Sequence, residues 1–153
     1  MSGDIRHVPH LRLAALDHTG PYAAISRTFA KLETVFSDRR HWPHANGLAA
    51  VYYDDPTETP EAELKSAAGI IVDDAYDMPP ELMELTLGGT KCAVWTHKGS
   101  YAGLPAAWTA LYAETLPASG ETPAGLPPFE IYLNTPGEVP DDDLVTEICL
   151  PLL

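Results

Sequence analysis

The sequence predicts an α+β domain built by tandem duplication of a strand-strand-helix-strand-strand unit. Residues 18–32 (HTGPYAAISRTFAKL) and 97–111 (HKGSYAGLPAAWTAL) align without a gap, with His18 matching His97. Residues 52–60 (YYDDPTETP) and 132–140 (YLNTPGEVP) then align with Tyr52 matching Tyr132, after a shift of a single position. Because both blocks recur in the same order, we expect a single domain over 1–153, with repeat 1 at 1–75 and repeat 2 at 81–153.

Each repeat opens with two short apolar segments that predict a pair of strands. In repeat 1 these are IRHV and LRLAAL, separated by Pro9, and in repeat 2 they are MELTL and KCAVWTH, separated by Gly88-Gly89. A Gly-Gly pair between alternating strands is typical of a tight hairpin turn. The sequence therefore predicts a β-hairpin at the start of each repeat.

A helix and two closing strands are predicted to complete each repeat. After each His-x-Gly, apolar residues recur at the three-to-four spacing of an amphipathic helix: Tyr22, Ile25, Phe29, Leu32 and Phe36, then Tyr101, Leu104, Trp108, Leu111 and Tyr112. The segments GLAAVYY, ELKSAAGIIV, FEIYL and DLVTEICLPL have the composition of strands. We expect antiparallel sheets with the two helices on one side and a groove at the pseudo-twofold axis, where a small-molecule pocket is favoured.

Composition and charge exclude several classes of protein. Nine Lys and Arg residues face 22 Asp and Glu residues, for a formal charge of −13, which disfavours direct binding to nucleic acid. No segment has the length and apolarity of a signal peptide or membrane span. Cys92 and Cys149 lie in apolar runs and are expected to be buried thiols, which predicts a cytoplasmic protein. Nucleotide-binding glycine motifs are absent, and no cofactor is expected.

Glu130 is the principal candidate for a binding residue. In the strand FEIYL, residues two apart share a face, so Glu130 and Tyr132 are expected to project together. The counterpart of Glu130 in repeat 1 is Ala50, so the acid breaks the internal symmetry. The alternative is a solvent-facing surface acid. If the acid lies in the groove, a cation enclosed by Glu130, Tyr132, Tyr52 and Trp95 would also gain cation–π attraction.

The remaining aromatic candidates have alternative roles. Trp108 lies on the predicted helix stripe, where core packing competes with ligand binding. Tyr112 is expected to face either the groove or the core. Tyr22 and Tyr101 open the two helices, where the ring packs inward and the hydroxyl stays near water. Trp42 lies in the loop RRHWPHANG and is a candidate pocket residue, as is Trp95.

Histidine spacing raises the possibility of a metal site. His7 and His10, and likewise His41 and His44, are three residues apart, a spacing seen in zinc sites. Neither pair has a cysteine or paired acid at a fitting distance, so no metal site is expected. His18 and His97 begin equivalent turns and are expected to bond backbone groups.

The chain as a whole resembles the GyrI-like small-molecule-binding domain family, which includes the gyrase-inhibitor protein and the effector-binding domains of AraC-type and MerR-type regulators. The resemblance is carried by HTGPY, VYYDDP with its following proline, HKGSY with AAW and LY, PPFEIYLNTP and ICLPL. It implies two halves related by a pseudo-twofold axis and a central groove for hydrophobic, often cationic or planar, molecules. It also implies an acidic groove residue at Glu130.

Three functions are compatible with this resemblance. The first is a stand-alone binding protein that senses or sequesters an amphipathic small molecule, or confers resistance to a toxin, with a transcription regulator as a possible partner. The second is a hydrolase that opens the cyclopropyl rings of DNA-alkylating natural products, with Glu130 as general base and Tyr132 or Tyr112 positioning substrate or water. The third is a protein inhibitor of DNA gyrase that acts through its acidic surface.

Overall fold

The strands and helices occur in the predicted order in the structure, a computed structural model that describes residues 2–39 and 41–153. Met1 and Arg40, which fall within predicted repeat 1, lie outside the described residues. The strands are β1 (Ser2–Val8), β2 (Leu11–Thr19), β3 (Ala45–Tyr52), β4 (Lys65–Val72), β5 (Met83–Leu87), β6 (Thr90–Lys98), β7 (Phe129–Tyr132) and β8 (Val145–Pro151). The helices are α1 (Ser26–Arg39), α2 (Leu104–Ala110) and α3 (Leu116–Ser119), and a π-helical turn, Leu111–Thr115, joins α2 to α3.

The chain folds into two units, each with an antiparallel sheet. The central unit comprises Leu11–Leu87, and its strands lie in the order β3-β4-β2-β5. The terminal unit comprises the described residues up to His10 together with Gly88–Leu153, and its strands lie in the order β1-β6-β8-β7. The prediction of an α+β fold with antiparallel sheets is confirmed.

The predicted opening hairpins are wrong. Strand β1 pairs with β6, with Ile5 opposite Ala93, and β5 pairs with β2, with Leu85 opposite Leu13. The Gly88-Gly89 backbone has the positive φ angles of a tight turn, +72° and +69°. A turn dipeptide determines only local backbone angles, whereas side-chain burial over the whole sheet decides which strands pair. The first strand of each repeat therefore lies in the unit formed mainly by the other repeat.

In each unit a helix covers one face of the sheet. In the central unit, Leu32 and Phe36 of α1 are fully buried against a cluster that includes Ile70. In the terminal unit, Leu104 and Leu111 are buried in a cluster with Ala93, Ile148, Leu150 and Leu152. The amphipathic stripes predicted from the three-to-four spacing thus face the sheets, since burial of apolar area is the main stabilising term.

The predicted stripe of the terminal unit ends before Tyr112. Leu111 is fully buried, but Tyr112, the next residue, is 47% exposed. Both lie in the π-helical turn, which changes the angular spacing of side chains relative to a regular α-helix. Of the two alternatives for Tyr112, the core position is therefore excluded.

The two cysteines are buried free thiols, as expected. Burial raises the pKa of the Cys92 thiol to about 11 and raises the pKa of the Cys149 thiol as well. Both sulfurs thus stay protonated at neutral pH and are poor nucleophiles. Within the described ranges, every helix is too short or too polar to cross a membrane.

We predict that Gly88→Ala destabilises the fold more than Gly120→Ala. Both glycines have φ near +70°, which costs an alanine about 1–2 kcal/mol. A Cβ at Gly120 meets nothing within 4 Å, whereas a Cβ at Gly88 would overlap the carbonyl oxygen of Pro9. The loss at Gly88 should exceed that at Gly120 by roughly 1 kcal/mol or more. Urea unfolding measures both losses, and equal losses would refute the close packing of Gly88 on Pro9.

Candidate functional site

Strand β7 places Glu130 and Tyr132 on the helix-covered face of the terminal sheet. Glu130 lies directly opposite Ile148 on β8, and Ile148 lies directly opposite Trp95 on β6. Directly opposite residues project to the same face, so Glu130, Ile148 and Trp95 form one row across three strands. The adjacent row contains Tyr132, Thr146 and His97. The predicted common face of Glu130 and Tyr132 is thus present.

The carboxylate of Glu130 is buried and held from two sides. Glu130 is only 2% exposed to solvent. Trp108 donates its indole Nε1–H to Oε2 at 2.6 Å, and the Tyr132 hydroxyl donates to Oε1 at 2.6 Å. Hydrogen bonds to a carboxylate are shorter and stronger than bonds between neutral groups. The alternative of a solvent-facing surface acid is excluded, because the residue is buried and both carboxylate oxygens accept bonds from the protein.

Trp108 has the core-packing role that the sequence allowed, and it also bonds the principal candidate residue. Its ring packs against the apolar cluster around Leu111 and Ile148, and its N–H reaches Glu130. Helix α2 makes this possible because it lies across the face on which β7 projects Glu130. Core packing therefore orients the indole, and the indole in turn orients the carboxylate.

Two further tyrosines lie beside this pair. The ring of Tyr101 is 5.5 Å from that of Tyr132, and the ring of Tyr112 is 6.3 Å from that of Trp108. Burial, with smaller contributions from the charges of Glu130 and Asp141, raises the pKa of the Tyr101 phenol. Its hydroxyl therefore remains a neutral donor at neutral pH. We call Glu130, Tyr132, Trp108, Tyr101 and Tyr112 the carboxylate cluster.

The equivalent row of the central unit is apolar. Leu16, Ala68 and Ala50 lie opposite one another on β2, β4 and β3, at the positions of Trp95, Ile148 and Glu130. Phe29 occupies the helix position equivalent to Trp108 and packs against the core there. The same scaffold thus carries a charged, hydrogen-bonded centre in the terminal unit and a hydrocarbon row in the central unit.

Three predicted site residues belong to the central unit. The rings of Tyr22 and Tyr52 are 4.7 Å apart, and the Tyr22 hydroxyl donates to the carbonyl oxygen of Asp54 at 2.6 Å. Trp42 is 42% exposed, and its indole donates to the Ser37 hydroxyl at 3.0 Å. The structure therefore groups five of the predicted residues in the carboxylate cluster and places Trp95 in the same row as Glu130.

The histidines bond within the protein. His18 and His97 bond the carbonyl oxygens of Pro21 and Ser100 through Nε2, as predicted for equivalent turns. His41 lies 2.7 Å from the Tyr76 hydroxyl, and His44 lies 3.0 Å from the carboxylate of Asp73. Across residues 2–39 and 41–153, no three His, Cys, Asp or Glu side chains converge in a way that would hold a metal ion.

The direct bond between Trp108 and Glu130 was not predicted. The sequence does carry a signal for it, because two complementary departures from internal symmetry occur together. Relative to repeat 1, a donor appears where Phe29 has none, and an acceptor appears where Ala50 has none. When one repeat gains both a donor and an acceptor relative to the other repeat, a hydrogen bond between the two new groups is indicated. The signal is easily overlooked because Trp108 and Glu130 are far apart in the sequence.

The family model of the GyrI-like small molecule binding domain matches residues 1–153. The chain therefore belongs to the GyrI-like family, which confirms the resemblance inferred from its motifs. Its class is that of a small-molecule-binding domain.

Individual relatives support the same assignment. A DNA gyrase inhibitor from Yersinia enterocolitica is 30% identical over 128 residues, which are 80% of each chain. The C-terminal domain of EcmrR has a TM-score of 0.77 at 16% identity, over 99% of this chain and 97% of that one. SAV2435 bound to tetraphenylphosphonium has a TM-score of 0.65 at 14% identity, over 100% and 94%. A hydrolase from Listeria innocua has a TM-score of 0.64 at 12% identity, over 99% and 92%. These three structures show a shared fold.

We predict that Trp108→Phe destabilises the protein by about 1–3 kcal/mol, because a buried carboxylate loses a donor. Phenylalanine fits this helix position, as Phe29 shows in the central unit. The loss should shrink in a Glu130→Gln background, where the acceptor is neutral, and urea unfolding of the four variants measures this coupling. Trp42→Phe, which removes an exposed indole bond, is the matched control and should cost about 0.5 kcal/mol or less. An equal loss in both backgrounds would contradict the assigned bond.

Proposed function

We propose that this domain binds lipophilic aromatic cations, with the carboxylate of Glu130 as the counter-charge. The observation that carries the proposal is the burial of Glu130 between two neutral donors, Trp108 and Tyr132. Neutral donors orient a carboxylate without cancelling its charge. A buried negative charge favours a cation, because their attraction is screened less than it would be in water.

The aromatic side chains of the cluster favour the same ligand class. Trp108, Tyr101 and Tyr132 surround the carboxylate with rings whose faces attract cations by about 0.5–2 kcal/mol each. The formal charge of −13 raises the local concentration of cations and disfavours anions. The structurally similar SAV2435, which binds tetraphenylphosphonium, supplies a probe of suitable chemistry.

The proposal predicts charge-selective binding that depends on Glu130. Titration calorimetry should detect tetraphenylphosphonium binding, and Glu130→Gln should weaken it at least about tenfold, because a buried opposite charge is lost. Glu147→Gln is the matched control, since Glu147 lies on the opposite face of the same sheet, bonded to Arg6. Tetraphenylborate, an anion of similar shape, should not bind. Equal affinity for the two ions, or unchanged affinity in Glu130→Gln, would refute the proposal.

Hydrolysis of a strained ring is a second candidate function. Glu130 is the acid of the carboxylate cluster, and a carboxylate can act as a general base towards water. Glu130 would remove a proton from water as the oxygen attacks a cyclopropyl carbon; the ring C–C bond breaks, and its electron pair moves into a conjugated carbonyl that is then protonated. The similarity in fold to a hydrolase from Listeria innocua favours testing this chemistry.

The hydrolytic function predicts a product heavier than its substrate by one water. The protein is incubated with a cyclopropane-bearing alkylator, and mass spectrometry follows the ring-opened product. Glu130→Gln should abolish turnover, whereas Glu147→Gln should leave it unchanged. Binding of the alkylator without any product would exclude hydrolysis and leave the binding function standing.

A role as a gyrase inhibitor is a third candidate, favoured by the relative from Yersinia enterocolitica and by the acidic charge. Such a contact would be salt-sensitive, because exposed charges are screened by ions. It would also persist in Glu130→Gln, since a buried carboxylate cannot contribute to a protein surface.

The free, buried thiols support a cytoplasmic location.

A further inference from the structure

The hydroxyl of Tyr22 is held by the backbone of the central unit. It donates to the carbonyl oxygens of Asp54 at 2.6 Å and Lys65 at 3.1 Å, and it accepts the N–H of Asp54 at 3.0 Å. Asp54 follows β3 and Lys65 begins β4, so this hydroxyl ties the two strands together at one end. Its hydrogen-bonding capacity is thus used within the protein.

Tyr101 occupies the equivalent position in the terminal unit but makes none of these bonds. The backbone groups equivalent to those around Tyr22 belong to Asn134 and Val145. The turn that carries them is closed as in the central unit, because the Val145 N–H donates to Oδ1 of Asn134 at 2.8 Å. Within residues 2–39 and 41–153, however, no group bonds to the Tyr101 hydroxyl. The two repeats therefore differ in whether an equivalent phenol is occupied by the protein.

The unpaired hydroxyl of Tyr101 lies at an accessible position. Tyr101 is partly exposed, and Tyr112 of the same cluster is 47% exposed. The Tyr101 hydroxyl is not one of the buried, unpaired groups found over the described part of the chain, which are the hydroxyls of Ser66 and Thr146 and the indole N–H of Trp95. A molecule on the exposed side of the carboxylate cluster can therefore reach this hydroxyl.

The same hydroxyl lies in a negative electrostatic field. The ring of Tyr101 is 5.5 Å from that of Tyr132, which donates to the Glu130 carboxylate at 2.6 Å. Burial, followed by the charges of Glu130 and Asp141, raises the pKa of the Tyr101 phenol, so the group is neutral at neutral pH. Hydroxyl dipoles orient in the local field, which turns the hydrogen towards the carboxylates and the oxygen lone pairs away from them. The oxygen is thus oriented to accept a hydrogen from a cationic donor.

We propose that Tyr101 is a specificity-determining residue whose hydroxyl oxygen accepts an N–H hydrogen from a protonated aromatic amine. This inference rests on the proposed cation-binding function and narrows its ligand class to cationic amines that carry an N–H. An ammonium N–H that leaves water without finding an acceptor is costly, whereas a quaternary ammonium ion has no N–H to satisfy. Aromatic rings attract both ions. The Tyr101 oxygen is therefore the group that allows the cluster to bind the protonated amine as well.

The test compares two probes that differ by one methyl group. N,N-dimethyl-1-(biphenyl-4-yl)methanamine is protonated at neutral pH and carries one N–H, whereas (biphenyl-4-ylmethyl)trimethylammonium has the same charge and no N–H. In titration calorimetry, Tyr101→Phe should weaken the amine at least about tenfold, as expected for one hydrogen bond from a charged donor. The quaternary ion should bind within about twofold of its wild-type affinity. Equal weakening of both probes, or unchanged affinity for the amine, would overturn the inference.

Tyr22→Phe is the matched control, because it removes a hydroxyl that the protein itself occupies. It should lower the urea midpoint of unfolding, since the backbone groups lose their partner, and leave the ratio of the two probe affinities unchanged. Tyr101→Phe should change the ratio with little effect on the midpoint, because its hydroxyl has no partner to lose. A changed ratio in Tyr22→Phe, or a larger loss of stability in Tyr101→Phe than in Tyr22→Phe, would refute the assignment.

Glu130→Gln separates this inference from the function on which it rests. If both probes bind in a Glu130-dependent manner but Tyr101→Phe does not weaken the amine selectively, only the role of Tyr101 fails. If neither probe binds, or if Glu130→Gln binds both as tightly as the wild-type chain, the proposed function fails with it.

Discussion

The buried carboxylate of Glu130 is the constraint on which the chemistry of this domain depends. A carboxylate removed from water is strongly destabilised unless donors replace its hydration. Trp108 and Tyr132 supply two such donors at 2.6 Å, one from helix α2 and one from the same strand. The helix must therefore stay in register with the sheet for the charge to be tolerated. The packing of α2 and the stability of the buried charge therefore depend on the same residue, because Trp108 both donates to the carboxylate and packs in the core.

Comparison of the two repeats distinguishes the residues that build the shared fold from those that build the candidate site. Both units share a helix-covered sheet, a His-x-Gly turn whose histidine bonds a backbone carbonyl, and a tyrosine pair at the end of the third strand. Those shared features maintain the fold. Three departures from symmetry add a polar side-chain group to the terminal unit: Leu16, Phe29 and Ala50 have Trp95, Trp108 and Glu130 as their counterparts. All three counterparts carry polar groups: Trp95 and Glu130 lie on one face of the terminal sheet, and Trp108 lies on the helix that covers this face.

The local features of this chain could be predicted from its sequence, but the pairing of its strands could not. The duplicated order of elements, the amphipathic helices and the shared face of Glu130 and Tyr132 were all predictable, since each depends on spacing within a short segment. The pairing of β1 with β6 and of β5 with β2 was not, because Pro9 and Gly88-Gly89 act locally while pairing is decided between segments far apart in the chain. The π-helical turn that exposes Tyr112 was missed for a related reason, since it leaves no distinct mark in apolar periodicity.

The sequence by itself determined the family, the fold class and the acid that breaks the internal symmetry, because repeats, periodicity and composition are properties of short segments. Only the tertiary structure decided which donors hold Glu130, which indole remains unpaired, and which strand completes each sheet. Trp95, Ile148 and Glu130 become neighbours through strand register alone, although they lie on three different strands and far apart in the sequence. Burial and hydrogen-bond satisfaction are properties of the folded chain as a whole, and no local pattern specifies them.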